Sequence, residues 1–226
     1  MTDDSIWGKG VKVLIDNNSD KSVGMGLDAL IVNNYMISDL FVTDVAPGKS
    51  ANETIYISSS ALEQAGIENI GQVELYFRAY DSDSYEDIFE SDLVTITTSR
   101  FEDMDVDITV EGTELLNQDG IKIVGRYVDE DSFWGSGILL YIENSTDKDI
   151  GISCDDMSIN GFMVSPLFSS SVYSGKMSID EITIFESDLE DNNIEKIEDV
   201  EMKFRIYDVS TYDTILKTDA ISFNVQ

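Results

Sequence analysis

The chain has 226 residues with 45 acidic and 14 basic side chains, no histidine and a net charge of -31. Apolar residues make up 42% of it, enough to build hydrophobic cores despite the charge. The length fits one large domain or two smaller ones.

Acids outnumber bases in both parts of the chain. Residues 1–100 carry 17 acids and 6 bases, and residues 101–226 carry 28 and 8. Nucleic acid, held mainly through Lys and Arg, is therefore a poor partner, and so is an anionic membrane surface. The absence of His removes the usual general base, the Ser-His and Cys-His pairs, and most transition-metal sites. One cysteine, Cys154, excludes an intramolecular disulfide. No apolar run approaches the ~20 residues that cross a bilayer. The first ten residues lack the basic and apolar regions of a signal peptide.

The chain aligns with itself at a constant offset of 127 residues, without gaps, from about residue 3 to residue 98. SIWGKGVKVLIDNNSDKSVGMGLD lies over SFWGSGILLYIENSTDKDIGISCD, and SALEQAGIENIGQVELYFRAYD lies over SDLEDNNIEKIEDVEMKFRIYD. About a third of the aligned residues are identical. The expectation is a tandem duplication, with each unit long enough to hold its own core. The domains are placed at 1–99 and 100–226. The second unit has extra residues, 101–131, with strand-like runs at Val106, Ile108, Val110 and at Ile121–Val124, the latter after an Asn117-Gln118-Asp119-Gly120 turn signal. The first unit has no counterpart, so it is expected to lack its N-terminal strands. A native start upstream of Met1 is the preferred reading, because a missing strand exposes unpaired backbone. A naturally short unit is the other.

Within a unit the elements follow in order. Val11, Val13, Ile15 (twins Ile138, Leu140, Ile142) alternate with polar positions and read as a strand. A polar turn follows at Asn17–Lys21 and Asn144–Lys148. The next strand holds Val23, Met25, Leu27, then Leu30 and Val32. Its alternation slips by one near Asp28 and Asp155, which predicts a β-bulge in each unit. Val32-Asn33-Asn34-Tyr35 and Ile159-Asn160-Gly161-Phe162 predict tight hairpins. Strands are expected through Ile55 and Ile57, through Val73 to Ala79, and near Leu93 to Thr97, with their twins. Between them Ser60-x-x-Glu63 and Ser187-x-x-Glu190 read as capping boxes of a short helix, stopped at Gly66 and Asn193.

About seven short antiparallel strands per unit predict an all-β fold: two tandem immunoglobulin-like β-sandwich domains, each with one short helix. The residues Asp119-Gly120-Ile121-Lys122-Ile123, Trp134-Gly135, Glu143-Asn144, Asn160–Val164, Gly175-Lys176 and Val200–Asp208 resemble the immunoglobulin-like repeats of uncharacterised secreted proteins and lipoproteins of Gram-positive bacteria. Related domains carry an F-x-L-Y-D signature, from which Phe204-Arg205-Ile206-Tyr207-Asp208 departs. The resemblance covers nearly the whole chain and rests on structural motifs. It implies an envelope or extracellular location and names no catalytic residue.

The most site-like run is Asp81-Ser82-Asp83-Ser84-Tyr85-Glu86-Asp87, where Asp81, Asp83 and Asp87 could ligate calcium. Its bland reading is a solvated hairpin loop, and its twin at Asp208–Thr214 keeps fewer acids. Asp16–Asp20 reads as a turn before it reads as a cation site. Asp103, Asp105, Asp107 and Glu111 alternate with Met104, Val106, Ile108 and Val110, which predicts an exposed strand face with an interdomain cation as the alternative. Trp7 and Trp134 are expected to pack at a strand end. Arg78 and Arg205 are expected to pair with Asp28 and Asp155. Tyr80, Tyr85, Tyr207 and Tyr212 suggest a hydroxyl bond to backbone, and Cys154, over Leu27, a small core residue. With 45 acids, paired carboxylates carry little information about glycosidase chemistry. The functional expectation is a non-catalytic extracellular or cell-envelope module, binding or spacing, without a cofactor and with an unknown protein or envelope component as partner. The alternative is a calcium-dependent adhesion or stabilisation module.

Overall fold

The computed structural model of the chain describes residues 2–5, 8–38, 40–104, 111–132 and 135–224. Trp7, Trp134, Asp105, Val106, Asp107, Ile108 and Val110 lie outside them. The chain is all-β with two short α-helices, and it divides into two compact units, Met1–Ile108 and Thr109–Gln226.

Unit 1 contains β1 (Thr2–Ser5), β2 (Gly8–Asn17), β3 (Val23–Val32), β4 (Tyr35–Ile37), β5 (Val42–Val45), β6 (Lys49–Ile57), α1 (Ser59–Gln64), β7 (Gln72–Asp81), β8 (Asp87–Glu90) and β9 (Val94–Thr97). β2 pairs with β6 along nine residues and with β1 at Ser5↔Gly8 and Thr2↔Gly10. β3 pairs with β7 on one edge and with β4 and β5 on the other, and β7 pairs in turn with β8 and β9. All pairings are antiparallel.

Unit 2 contains β10 (Thr113–Gln118), β11 (Ile121–Ser132), β12 (Gly135–Asn144), β13 (Ile150–Ile159), β14 (Phe162–Val164), β15 (Ser169–Val172), β16 (Met177–Thr183), α2 (Glu186–Asp191), β17 (Asp199–Asp208), β18 (Thr214–Lys217) and β19 (Ile221–Asn224). Its strands pair in the order β10-β11-β12-β16, and β13 and β17 form the centre of the other layer. From β2 onward every element of unit 1 has a counterpart 127 residues further on, with equal bounds for all but β6 and β16.

The cores follow the alternation of the strands. Leu30, Val32, Ile55, Ile57, Val73 and Leu75 are buried in unit 1, and Ile138, Ile142, Ile150, Ile182, Val200 and Met202 in unit 2. The expected bulges are present: pairing slips between Leu27 and Ala29 and between Cys154 and Asp156. The hairpin turns carry positive φ at Asn33 and Asn34 (48° and 70°) and at Asn160 and Gly161 (50° and 84°), the mirror-image turn that suits strand twist.

Several local expectations are corrected. The cap of α1 is Ser58, whose Oγ accepts from the Ala61 N–H at 3.3 Å; Ser60 lies inside the helix. α2 starts after Phe185 with no side-chain cap, so Ser187 and Glu190 form no capping box. The stops at Gly66 and Asn193 do adopt left-handed backbone, at 67° and 54°. Phe101–Asp103 form one 3-10 turn, which takes Asp103 out of the expected alternating strand. Asn117 and Gln118 belong to β10, leaving a two-residue turn at Asp119-Gly120. β8 had no signal in the sequence, because Asp87–Glu90 are all exposed.

Candidate functional site

The acidic loop Asp81–Asp87 joins β7 to β8 beside the turn that joins β2 to β3. Asp81 ends β7 almost buried, at 8% exposure. Its Oδ2 accepts from Lys21 Nζ at 2.7 Å, and its Oδ1 from the N–H groups of Asp83 and Ser84 at 3.0 and 3.3 Å. Lys21 and the two N–H groups hold its carboxyl below the ordinary carboxylate range, and Asp81 raises Lys21 in return. Asp87 turns away to Arg78, Nε to Oδ1 at 2.6 Å. Asp83 is exposed, and among the described residues no group of three or more acidic or thiol side chains is gathered as a metal site. The loop geometry comes from the turn: Asp81 N–H donates to Glu86 O, Tyr85 N–H donates to Asp81 O, and Tyr85 carries a φ of 61°.

The twin loop has the same construction with fewer acids. Asp208 Oδ2 accepts from Lys148 at 2.8 Å, and Oδ1 from Ser210 N–H, Ser210 Oγ and Thr211 N–H. Lys148 and Ser210 hold Asp208 far below its ordinary range. Tyr212 carries a φ of 60°. The loop therefore keeps its shape when Asp83 and Asp87 are replaced by Ser210 and Thr214.

Asn17 closes the neighbouring turn from inside. Its Nδ2 donates to Lys21 O and Val45 O at 2.7 and 2.8 Å, and its Oδ1 accepts from Ser19 N–H and Oγ at 3.0 and 2.7 Å. Asn144 repeats the four bonds with Lys148, Val172 and Thr146 at the same lengths. Asn33 and Asn160 staple the loop after the helix in the same manner: Asn33 Oδ1 accepts from Gly71 and Gln72 N–H, and Asn160 Oδ1 from Glu198 and Asp199 N–H.

The arginines do not make the expected bridges. Arg78 pairs with Asp87 and lies 5.7 Å above the Tyr80 ring; Arg205 donates to Thr214 Oγ1 and Tyr212 O and lies 5.1 Å above Tyr207. Asp155 pairs with Lys217 at 3.5 Å. Asp28 is raised by partial burial first and by Glu90 second, with Arg78 acting against both. The tyrosines stack, Tyr80 on Tyr85 at 6.0 Å and Tyr207 on Tyr212 at 5.9 Å, with Tyr85 and Tyr212 about 70% exposed. Tyr80 and Tyr207 lie flat over Gly24 and Gly151, whose missing side chains leave the room. Cys154 is half-buried, short of the core position expected of it, and burial pushes its thiol up to about 11, so it stays protonated.

Between the end of β2, the start of β3 and the β8 edge lies a groove of about 460 Å³ in unit 1, with Ile15, Val23 and Met25 as its floor and Asp81, Asp87 and Ile88 at its rim. No sequence pattern marked it.

The sequence matches no known family model, and no curated protein matches it. Among solved structures, a protein of unknown function from Porphyromonas gingivalis W83 shares 8% identity over 96% of this chain and 89% of its own, with a TM-score of 0.23. A likeness at that level carries no argument about fold or activity.

Proposed function

We propose that the chain is a non-catalytic extracellular or cell-envelope module, a tandem duplication of an immunoglobulin-like β-sandwich that binds or spaces rather than reacts. One observation carries the reading. The polar side chains that recur 127 residues apart, Asn17 and Asn144, Asn33 and Asn160, Lys21 with Asp81 and Lys148 with Asp208, all bond to backbone or to one another in the same geometry. Groups fixed in that way hold turns and offer no free base or nucleophile. The envelope location rests on the sequence resemblance. Fractionation of the source cells with an antibody to the chain tests it: recovery from the envelope or the medium is expected, and recovery from cytosol alone contradicts it.

A further inference from the structure

Tyr85 and Tyr212 stand in the twin loops with their rings in water, at 74% and 70% exposure. The two values are nearly equal although only unit 2 has β10 and β11 ahead of the shared elements. Both residues hold left-handed backbone, with φ of 61° and 60°. A bulky side chain is strained there, and glycine or asparagine would hold the same turn with less strain. Around the two rings the side chains change: Asp83 is replaced by Ser210, Ser84 by Thr211 and Asp87 by Thr214. The turn keeps its shape through those exchanges and does not itself call for an aromatic residue, yet both units carry one. Side chains held in strained backbone of this kind gather where a protein meets a ligand.

The same loops show what such a ring accepts. The inner tyrosine of each stack already carries a guanidinium: Arg78 Cζ lies 5.7 Å from the centroid of Tyr80, and Arg205 Cζ lies 5.1 Å from that of Tyr207. The outer ring stacks on the inner one with centroids 6.0 and 5.9 Å apart and planes within 20° and 16°. Among the described residues no cation lies over Tyr85 or Tyr212. Each stack therefore holds one guanidinium from within and presents a second ring of the same chemistry to solvent.

Charge decides between occupants. A net charge of -31 repels an anionic ligand and draws a cationic one. A neutral sugar ring also stacks on tyrosine, but it gains nothing from that charge. Among cations, the planar guanidinium lies flat on an aromatic face and gives up water more readily than the compact ammonium of lysine. We propose that Tyr85 and Tyr212 are docking points for an arginine-rich polypeptide segment, with a guanidinium on each outer ring as Arg78 and Arg205 lie on the inner ones. The assignment rests on the reading of the chain as a binding module and gives that module the chemistry of its partner.

The probes are Arg-Gly and Lys-Gly repeat peptides of equal length and charge, and cellohexaose, each titrated against the full chain by calorimetry. The unaltered chain is expected to bind the Arg-Gly peptide about threefold more tightly than the Lys-Gly peptide, a ratio that persists while sodium chloride weakens both. Asparagine tolerates left-handed backbone, so the chain with Tyr85→Asn and Tyr212→Asn is expected to keep its melting temperature and to lose the preference. The chain with Tyr85→Phe and Tyr212→Phe keeps both rings and is expected to keep the preference. Equal binding of the two peptides by the unaltered chain overturns the proposal without recourse to a variant. A preference that survives both asparagine substitutions overturns it as well. So does cellohexaose binding more tightly than the Arg-Gly peptide, because the occupant is then a neutral glycan. None of these results touches the envelope location, which cell fractionation tests separately.

Discussion

Asn17 and Asn144 show how much one buried amide decides. Each satisfies two backbone carbonyls and holds the following turn. Truncation removes both donors at once, so Asn17→Ala or Asn144→Ala is expected to cost about 2–4 kcal/mol in urea unfolding. The Lys–Asp pairs act on the pH dependence. Asp81 and Asp208 are held below the ordinary value near 3.9, so the stability they add is present above about pH 4 and is lost as pH falls through their folded values. Lys21 and Lys148 are raised, so their share is full below about pH 10 and is lost as pH rises further. Asp208→Asn is therefore expected to destabilise at neutral pH by an amount that shrinks below about pH 4, measured by urea unfolding across pH. Tyr207 over Gly151 gives a third expectation. A Cβ at Gly151 would meet the ring, so Gly151→Ala costs about 1–3 kcal/mol, and a double-mutant cycle with Tyr207→Ser recovers most of it. The Lys–Asp pairs and the long bond from Asn17 to Val45 O could not be read from local sequence, since Lys21 and Asp81 lie 60 residues apart and Asn17 and Val45 lie 28. The visible sign was only that the same polar residue recurred at both places.

At the scale of elements, periodicity carried most of the fold. Alternating apolar residues located β2, β3, β7 and their counterparts, and a single slip in that alternation located both bulges. Asn33-Asn34 and Asn160-Gly161 announced their hairpins because few residues tolerate two positive φ angles in succession. Replacing Asn34, at 70°, by the glycine its twin uses is expected to stabilise unit 1 by about 0.5 kcal/mol in thermal unfolding. The signals failed where side chains face water on both sides, as in β8, or where a serine run offered several caps, as at Ser58–Ser60. Asp81 and Asp87, named with Asp83 in the calcium reading, take different partners for a geometric reason. Asp81 points inward to Lys21, while Asp87 sits at the start of β8 and reaches Arg78, so residues close in sequence face different partners.

For the whole molecule, a net charge of -31 with few bases means self-repulsion that salt screens. Melting temperature is expected to rise with sodium chloride, and calcium chloride at matched ionic strength to add nothing beyond it; a calcium-specific rise reversed by chelator would favour the adhesion alternative. Each unit buries apolar residues of its own, and its recurring polar groups hold the turns around them. The most direct measurement is urea unfolding of residues 109–226 made alone, followed by circular dichroism and by hydrogen exchange at β13 and β17. One cooperative transition, with those amides protected as in the full chain, is the predicted result. A chain that is unfolded in buffer, or that loses protection at β13 and β17 without a cooperative step, would contradict it.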